Sequence, residues 1–118
     1  MKKPPFYKSL LYSIKGVFWM LKSERNFQLE VLALIVNLFL IVYFELSSTD
    51  AALIILVCFL VLITEALNTA VEKICNFVEP NFNKKIGLIK DIAAGAVILA
   101  TFLSIIVGIL VYSNYFFY

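Results

Sequence analysis

Three long apolar segments dominate the alternation of hydrophobic and polar positions along the chain. A membrane-spanning helix needs about 20 predominantly apolar residues, and segments of this kind lie at 29–46, 51–72 and 90–112. The middle segment opens with an unbroken apolar run, 51–63. We therefore predict three transmembrane helices in a single domain that covers residues 1–118.

A fourth helical pattern, at 6–22, precedes the spans. Its apolar residues recur at helical spacing from Leu10 to Leu21, while Lys8, Lys15 and Lys22 repeat every seven residues. An apolar face with regularly spaced cations is typical of an amphipathic helix that lies on the membrane surface. We interpret it as an orientation anchor or as a lid over a site at the interface, and the two roles are compatible.

The connections between the spans carry helix start and stop signals. Ser47 begins a Ser-Ser-Thr-Asp sequence that fits a helix N-cap. Pro80 should end the second span's helix near Glu79, because proline cannot continue a helix. The predicted fold class is an all-α membrane protein with one surface helix and three spans.

Composition and charge support this class and set an orientation. Of the 118 residues, 63% are hydrophobic and 15% charged, and the mean hydropathy is +0.97. No signal peptide pattern opens the chain, so we expect no cleavage. All ten Lys and Arg residues precede the first span or join the second to the third. The positive-inside rule then predicts a multi-pass protein of the inner (cytoplasmic) membrane, with the N-terminus cytoplasmic and the C-terminus outside.

A polar stripe marks the cytoplasmic end of the second span. Glu65, Asn68, Thr69 and Glu72 stand at i, i+3, i+4 and i+7, which places them on one helix face. Ionisable residues within a span are functional-site candidates by default. The same stripe could instead be polar glue between helices.

The stripe suggests chemistry on phosphate groups. Further polar residues gather at the same surface: Glu24, Glu30, Lys90 and Asp91. Carboxylates suit Mg²⁺ and lysines suit the phosphates of a nucleotide triphosphate. The four glycines form no P-loop, and the chain has no histidine. Acid–base chemistry therefore falls to Asp, Glu or Lys, and Glu65 could deprotonate a membrane-dissolved alcohol.

Two further hypotheses concern assembly and an alternative class. Three helices cannot shield the polar stripe from lipid on every side, so we predict a homo-oligomer. A non-catalytic oligomer that forms an ion or proton pathway is the competing class, but the outer halves of the spans offer few polar residues beyond Asn37. Cys58 and Cys75 are expected to be packing residues, because their spacing fits no metal site.

The motif spacing resembles that of a known family. An E-x-x-N-x-x-x-E stripe at 65–72 is followed by the Lys90-Asp91 pair eighteen positions later, with accompanying motifs at 13–16 and 23–27. This pattern resembles the signature of the prokaryotic diacylglycerol kinase / undecaprenol kinase family. The resemblance implies a homotrimeric bundle of three-span subunits that transfers the γ-phosphoryl group of MgATP to a lipid alcohol.

The resemblance also implies roles for single residues. Glu65 matches the general base, and Glu24 and Glu72 match the carboxylates that hold Mg²⁺ and the nucleotide phosphates. The remaining matches are nucleotide contacts at Tyr12, Lys90 and Asp91, and lipid-substrate contacts at Asn68, Glu30 and Ala94.

Three sequence details bear on the substrate. Enterobacterial members carry an arginine where this chain has Pro5, and many relatives carry a histidine where it has Asn83. The sequence Glu24-Arg25-Asn26 looks closer to the undecaprenol kinase branch. The implied acceptor is therefore undecaprenol, with diacylglycerol as the alternative.

Overall fold

In a computed structural model, residues 2–117 are described and form four helices joined by short turns. These are α1 (Phe6–Ser23), α2 (Arg25–Tyr43), α3 (Ser48–Val78) and α4 (Lys84–Phe116). Within 2–117 there is no β-strand, and α2, α3 and α4 are each long and apolar enough to cross a membrane. The predicted all-helical fold with three membrane spans is confirmed.

A single non-helical residue separates α1 from α2. Glu24 adopts an extended backbone with φ −110° and ψ 113°. Its N–H donates to the Met20 carbonyl and its carbonyl accepts from the Gln28 N–H, each at 3.0 Å. The Gln28 side chain also donates to the Leu21 carbonyl at 2.9 Å. The break is therefore firmly hydrogen-bonded on both sides, and the helix of the first span begins at Arg25 rather than at residue 29.

The turn between α2 and α3 follows a Schellman pattern. Glu45 has a positive φ of 52°, its N–H donates to the Val42 carbonyl at 3.2 Å, and the Leu46 N–H donates to the Ile41 carbonyl at 3.1 Å. These bonds satisfy carbonyls at the end of a helix. They end α2 at Tyr43, whereas the sequence pattern predicted a span that continued to residue 46.

Both predicted boundary signals of α3 operate as expected. The Ser47 side chain accepts a hydrogen bond from the Asp50 N–H at 3.2 Å, and the helix ends with Glu79 as its C-cap residue, directly before Pro80. The helix thus continues past Glu72, where the predicted span ended. At 31 residues and a rise of 1.5 Å each, it is about 46 Å long and exceeds the hydrocarbon thickness of a bilayer.

A small apolar core joins the first three helices. Met20 of α1, Phe27 of α2 and Leu62 of α3 are buried together, with Val31 and Ala66 packed against them. Helix α3 packs against both α2 and α4. This arrangement places the start of α2 beside the middle of α3, at Leu62 and Ala66.

Candidate active site

The polar stripe of α3 is partly buried. Glu65 is 5% exposed and Thr69 is 6% exposed, although both are polar and one carries a carboxylate. The Oδ1 atom of Asn68 is buried without a hydrogen-bond partner among residues 2–117. Glu72, about two turns beyond Glu65 toward the C-terminal end of α3, is exposed. The stripe therefore runs from a shielded carboxylate to one that faces the solvent.

Helix α2 brings further polar groups to Glu65. The side-chain amide of Asn26 lies beside the Glu65 carboxylate in a position to donate to it, and Glu24 and Glu72 are its electrostatic neighbours. Glu30 is a further neighbour, and its Oε1 atom is buried with no hydrogen-bond partner in the described chain. We call these four carboxylates, Glu24, Glu30, Glu65 and Glu72, the carboxylate cluster.

Packing of apolar residues explains why the cluster forms. Phe27, Val31 and Leu34 stand at i, i+4 and i+7 on α2 and pack with Leu62 and Ala66 of α3. This contact sets the register of the two helices. Residues next to the apolar contact on each helix then face one another, which places Glu30 near Glu65.

The carboxylate cluster has the composition of a Mg²⁺ site completed by a substrate. Within 2–117, no three His, Cys, Asp or Glu residues lie close enough together to hold a metal ion by themselves. Mg²⁺ in nucleotide sites is usually held by one or two carboxylates together with phosphate oxygens and water. Glu24 and Glu72 fit that requirement. They lie on either side of Glu65 in sequence, and both are near it in space.

The predicted nucleotide contact Lys90 lies near the C-terminal end of α3. The Lys90 ammonium donates to the Asn76 side-chain oxygen, and Asn76 lies one helical turn beyond Glu72 on the same face of α3. Lys90 thus stands at the C-terminal end of the polar stripe. Asp91 lines a different cavity of about 650 Å³, together with Lys84 and Lys85. Within one chain, therefore, Lys90 and Asp91 face different surroundings.

Two other predicted site residues lie on α1 and α4. Tyr12 is 55% exposed on α1, and the Lys15 ammonium lies 5.9 Å from its ring centroid. Ala94 is half-buried on α4. Asn83 is engaged as the N-cap of α4, because its side chain accepts from the N–H groups of Lys85 and Ile86.

Two site residues escaped the sequence analysis as individual candidates. Asn26 lies near Glu65, and its signal in the sequence was its place in the motif at 23–27. Asn76 binds Lys90, and its signal was the i+4 spacing from Glu72, which continues the polar stripe by one turn.

Comparison with known proteins decides the family. The model of the prokaryotic diacylglycerol kinase family matches residues 11–112. The chain belongs to this family. It is 31% identical to undecaprenol kinase of Bacillus subtilis (strain 168) over 107 residues, which covers 91% of this chain and 87% of the relative.

Other relatives carry the second family name. A diacylglycerol kinase of Synechocystis is 31% identical over 106 residues, which are 89% of this chain and 61% of that protein. The diacylglycerol kinase of Escherichia coli (strain K12) is 27% identical over 109 residues, which are 92% and 89% of the two chains. The predicted family is confirmed, and with it the predicted enzyme class, a lipid kinase.

Proposed function

We propose that this lipid kinase transfers the γ-phosphoryl group of MgATP to the hydroxyl of undecaprenol at the cytoplasmic face of the inner membrane. The observation that carries the proposal is the carboxylate cluster around the buried Glu65 carboxylate. The undecaprenol kinase name of the Bacillus relative supports this acceptor. The relatives named diacylglycerol kinase make diacylglycerol the second candidate.

Glu65 acts as the general base. Its carboxylate takes the proton of the acceptor hydroxyl as the hydroxyl oxygen attacks the γ-phosphorus, and the bond to the bridging oxygen of ADP breaks. Burial of Glu65 fits this role because the acceptor dissolves in the membrane, so its hydroxyl reaches the base from the apolar side. Asn26 lies close enough to the Glu65 carboxylate to interact with it.

The neighbouring side chains position the nucleotide. Glu24 and Glu72 would hold Mg²⁺, and the ion would neutralise charge on the transferring phosphoryl group. Lys90 contacts the nucleotide phosphates from the cytoplasmic end of the stripe, and Asn68 and Ala94 contact the acceptor. Most of the rate acceleration then comes from positioning and charge neutralisation.

The active subunit assembly is a homotrimer. Support comes from Tyr12, which is exposed on α1, and from Asp91, which lines a cavity next to the one that Lys90 lines. Neither of these two cavities is lined by Glu65. These predicted nucleotide contacts are not gathered around Glu65 by one chain, and a neighbouring subunit can complete the set. Cross-linking and native mass measurement in mild detergent test this, since a fully active monomer would contradict it.

The acceptor assay tests the function directly. Labelled MgATP is offered in mixed micelles with undecaprenol or with diacylglycerol, and the Glu65→Gln protein serves as the blank. Label in undecaprenyl phosphate supports the proposal, whereas label mainly in phosphatidate would assign diacylglycerol as the acceptor. No transfer to either lipid would refute the proposed reaction for both.

A further inference from the structure

Helix α1 stands away from α3 across a cavity of about 380 Å³. Ser13, Gly16 and Val17 of α1 line this cavity, and so do Ala70 and Lys73 of α3. A Cβ added at Gly16 would meet nothing within 4 Å, so the two helices are not closely packed at that position. The orientation of α1 relative to α3 therefore depends on the side-chain contacts that join the two helices beside the cavity.

Two consecutive residues of α1 make contacts of this kind. Met20 is buried in the apolar core with Leu62 of α3. The Lys73 ammonium lies over the Trp19 ring, 4.6 Å from its centroid, and a cation attracts an aromatic face within about 6 Å. Side chains of consecutive residues leave a helix in directions about 100° apart. Because both are attached to α3, the rotation of α1 about its own axis is fixed.

The rotation of α1 affects the proposed metal-binding side of the site, because Glu24 follows α1 directly. Glu24 is the extended residue between α1 and α2, and its N–H donates to the Met20 carbonyl at 3.0 Å. On α3, Lys73 directly follows Glu72. The contact between Trp19 and Lys73 therefore joins the two segments that carry the proposed metal ligands.

Another cation–π pair of the chain shows why this contact is different. The Lys15 ammonium lies 5.9 Å from the Tyr12 ring centroid, but both residues are on α1, so that pair cannot restrain α1 against another helix. Trp19 is 41% exposed and Lys73 is exposed. A cation–π contact that is open to water in this way changes an equilibrium constant by about two- to fivefold.

We infer that Trp19 and Lys73 are positioning residues for MgATP. Their contact holds α1 in the rotation that keeps the Glu24 carboxylate in reach of the same Mg²⁺ ion as Glu72. The two side chains act through α1 and need not touch the nucleotide or the lipid. The inference rests on the proposed MgATP-dependent phosphoryl transfer and adds the residues that maintain the geometry of its metal-binding side.

Tryptophan fluorescence tests the contact without nucleotide, because Trp19 is the single tryptophan of the chain. Acrylamide quenching is measured in mild detergent. Lys73→Met keeps an unbranched apolar stem but loses the cation, and we expect the quenching constant to rise. Lys73→Arg should keep the parent value, because a guanidinium also stacks on aromatic faces. Lys3→Met is the matched control, since it removes a cation from an exposed lysine before α1. Unchanged quenching in Lys73→Met would overturn the inference.

Kinetics provide the second test. Lys73→Met and Trp19→Leu should each raise the KM for MgATP by about two- to fivefold and shift the Mg²⁺ titration to higher concentration. The KM for the lipid alcohol and kcat should stay near the parent values. Trp19→Phe, which keeps an aromatic face, should restore much of the MgATP affinity. Phe18→Leu is the control for loss of a ring, at a neighbouring position that is 55% exposed.

The double variant Trp19→Leu/Lys73→Met separates positioning from direct contact with the nucleotide. If the two residues act through their contact, the double variant should resemble each single variant. If Lys73 instead acts by its charge on the nucleotide phosphates, its loss keeps the full effect in the Trp19→Leu protein, and the positioning assignment is overturned. An equal rise in the KM for the lipid, together with a lower melting temperature, would show a general structural role and overturn it as well.

Failure of the proposed function is a separate outcome. If the parent protein phosphorylates no lipid alcohol, the proposed reaction fails, while the quenching measurements still decide whether Lys73 holds Trp19. If transfer occurs and quenching rises in Lys73→Met but the KM for MgATP and the Mg²⁺ titration do not change, the contact restrains α1 without positioning the metal ligands, and the inference is refuted.

Discussion

Replacing Glu65 with glutamine isolates its role as a base from its role in packing. Glutamine has nearly the same shape, and its side-chain oxygen can still accept from Asn26. The substitution removes two properties of the side chain, its negative charge and its ability to take a proton. In a structure where Glu65 is 5% exposed and near three other carboxylates, loss of that charge also relieves repulsion.

The expected magnitudes follow from these contacts. General base catalysis contributes about 10²- to 10⁴-fold, so turnover of Glu65→Gln should fall by at least about 10²-fold, which is about 2.7 kcal/mol of activation free energy. MgATP binding should remain largely intact. The melting temperature in detergent should stay the same or rise, because one member of a like-charged cluster becomes neutral.

Single-turnover kinetics with a saturating lipid acceptor, alongside MgATP binding, provide the assay. Glu45→Gln is the matched control, since it makes the same chemical change at an exposed carboxylate in the turn between α2 and α3. Near-normal turnover in Glu65→Gln would remove Glu65 from the base role. Lost turnover accompanied by a lower melting temperature would point to a structural role instead.

Three further predictions concern the metal, the outer end of the bundle and one turn. Glu72→Gln should weaken MgATP binding and shift the Mg²⁺ titration to higher concentration, and an unchanged titration would exclude Glu72 as a metal ligand. The Tyr115 hydroxyl donates to Asp50 at 2.8 Å and accepts from the Ser47 N–H at 3.1 Å. Tyr115→Phe removes both hydrogen bonds and should lower the free energy of unfolding by about 1–2 kcal/mol, measured by thermal unfolding. Tyr43→Phe, at a ring that is 68% exposed, should not lower it. Glu45→Gly should leave the free energy of unfolding unchanged or raise it by up to about 1 kcal/mol, because glycine adopts the positive φ of this turn without the penalty of a side chain. Clear destabilisation would show that the Glu45 side chain itself stabilises the turn.

Helical periodicity made the α3 stripe predictable. The face shared by Glu65, Thr69 and Glu72 follows from spacing alone once the segment is a helix, and its capping residues mark both ends. The convergence of Glu30 on Glu65 could not be predicted from spacing, because it depends on how α2 packs on α3. The register of the two helices is set by apolar contacts. The Leu, Val and Phe side chains of α2 and α3 could have paired in many other ways.

The boundary between α1 and α2 shows a second limit. The sequence around Glu24 contains no proline or glycine, which are the usual signals of a helix break. The prediction therefore left a gap of several residues, whereas the structure has one extended residue. Here the break is stabilised by tertiary packing of Met20 and Phe27, on either side of it, against α3.

That packing links membrane anchoring to catalysis. Glu24 ends α1 and begins α2, so the placement of its carboxylate depends on both helices at once. Lys73 of α3 lies over the Trp19 ring, 4.6 Å from its centroid, and adds a second contact between α1 and the helix that carries Glu65 and Glu72. The helix proposed to lie on the membrane surface therefore also fixes a proposed metal ligand relative to the proposed base. In this fold the same residues that attach α1 to the bundle assemble the proposed nucleotide side of the site, while the apolar contacts between α2 and α3 assemble its proposed lipid side.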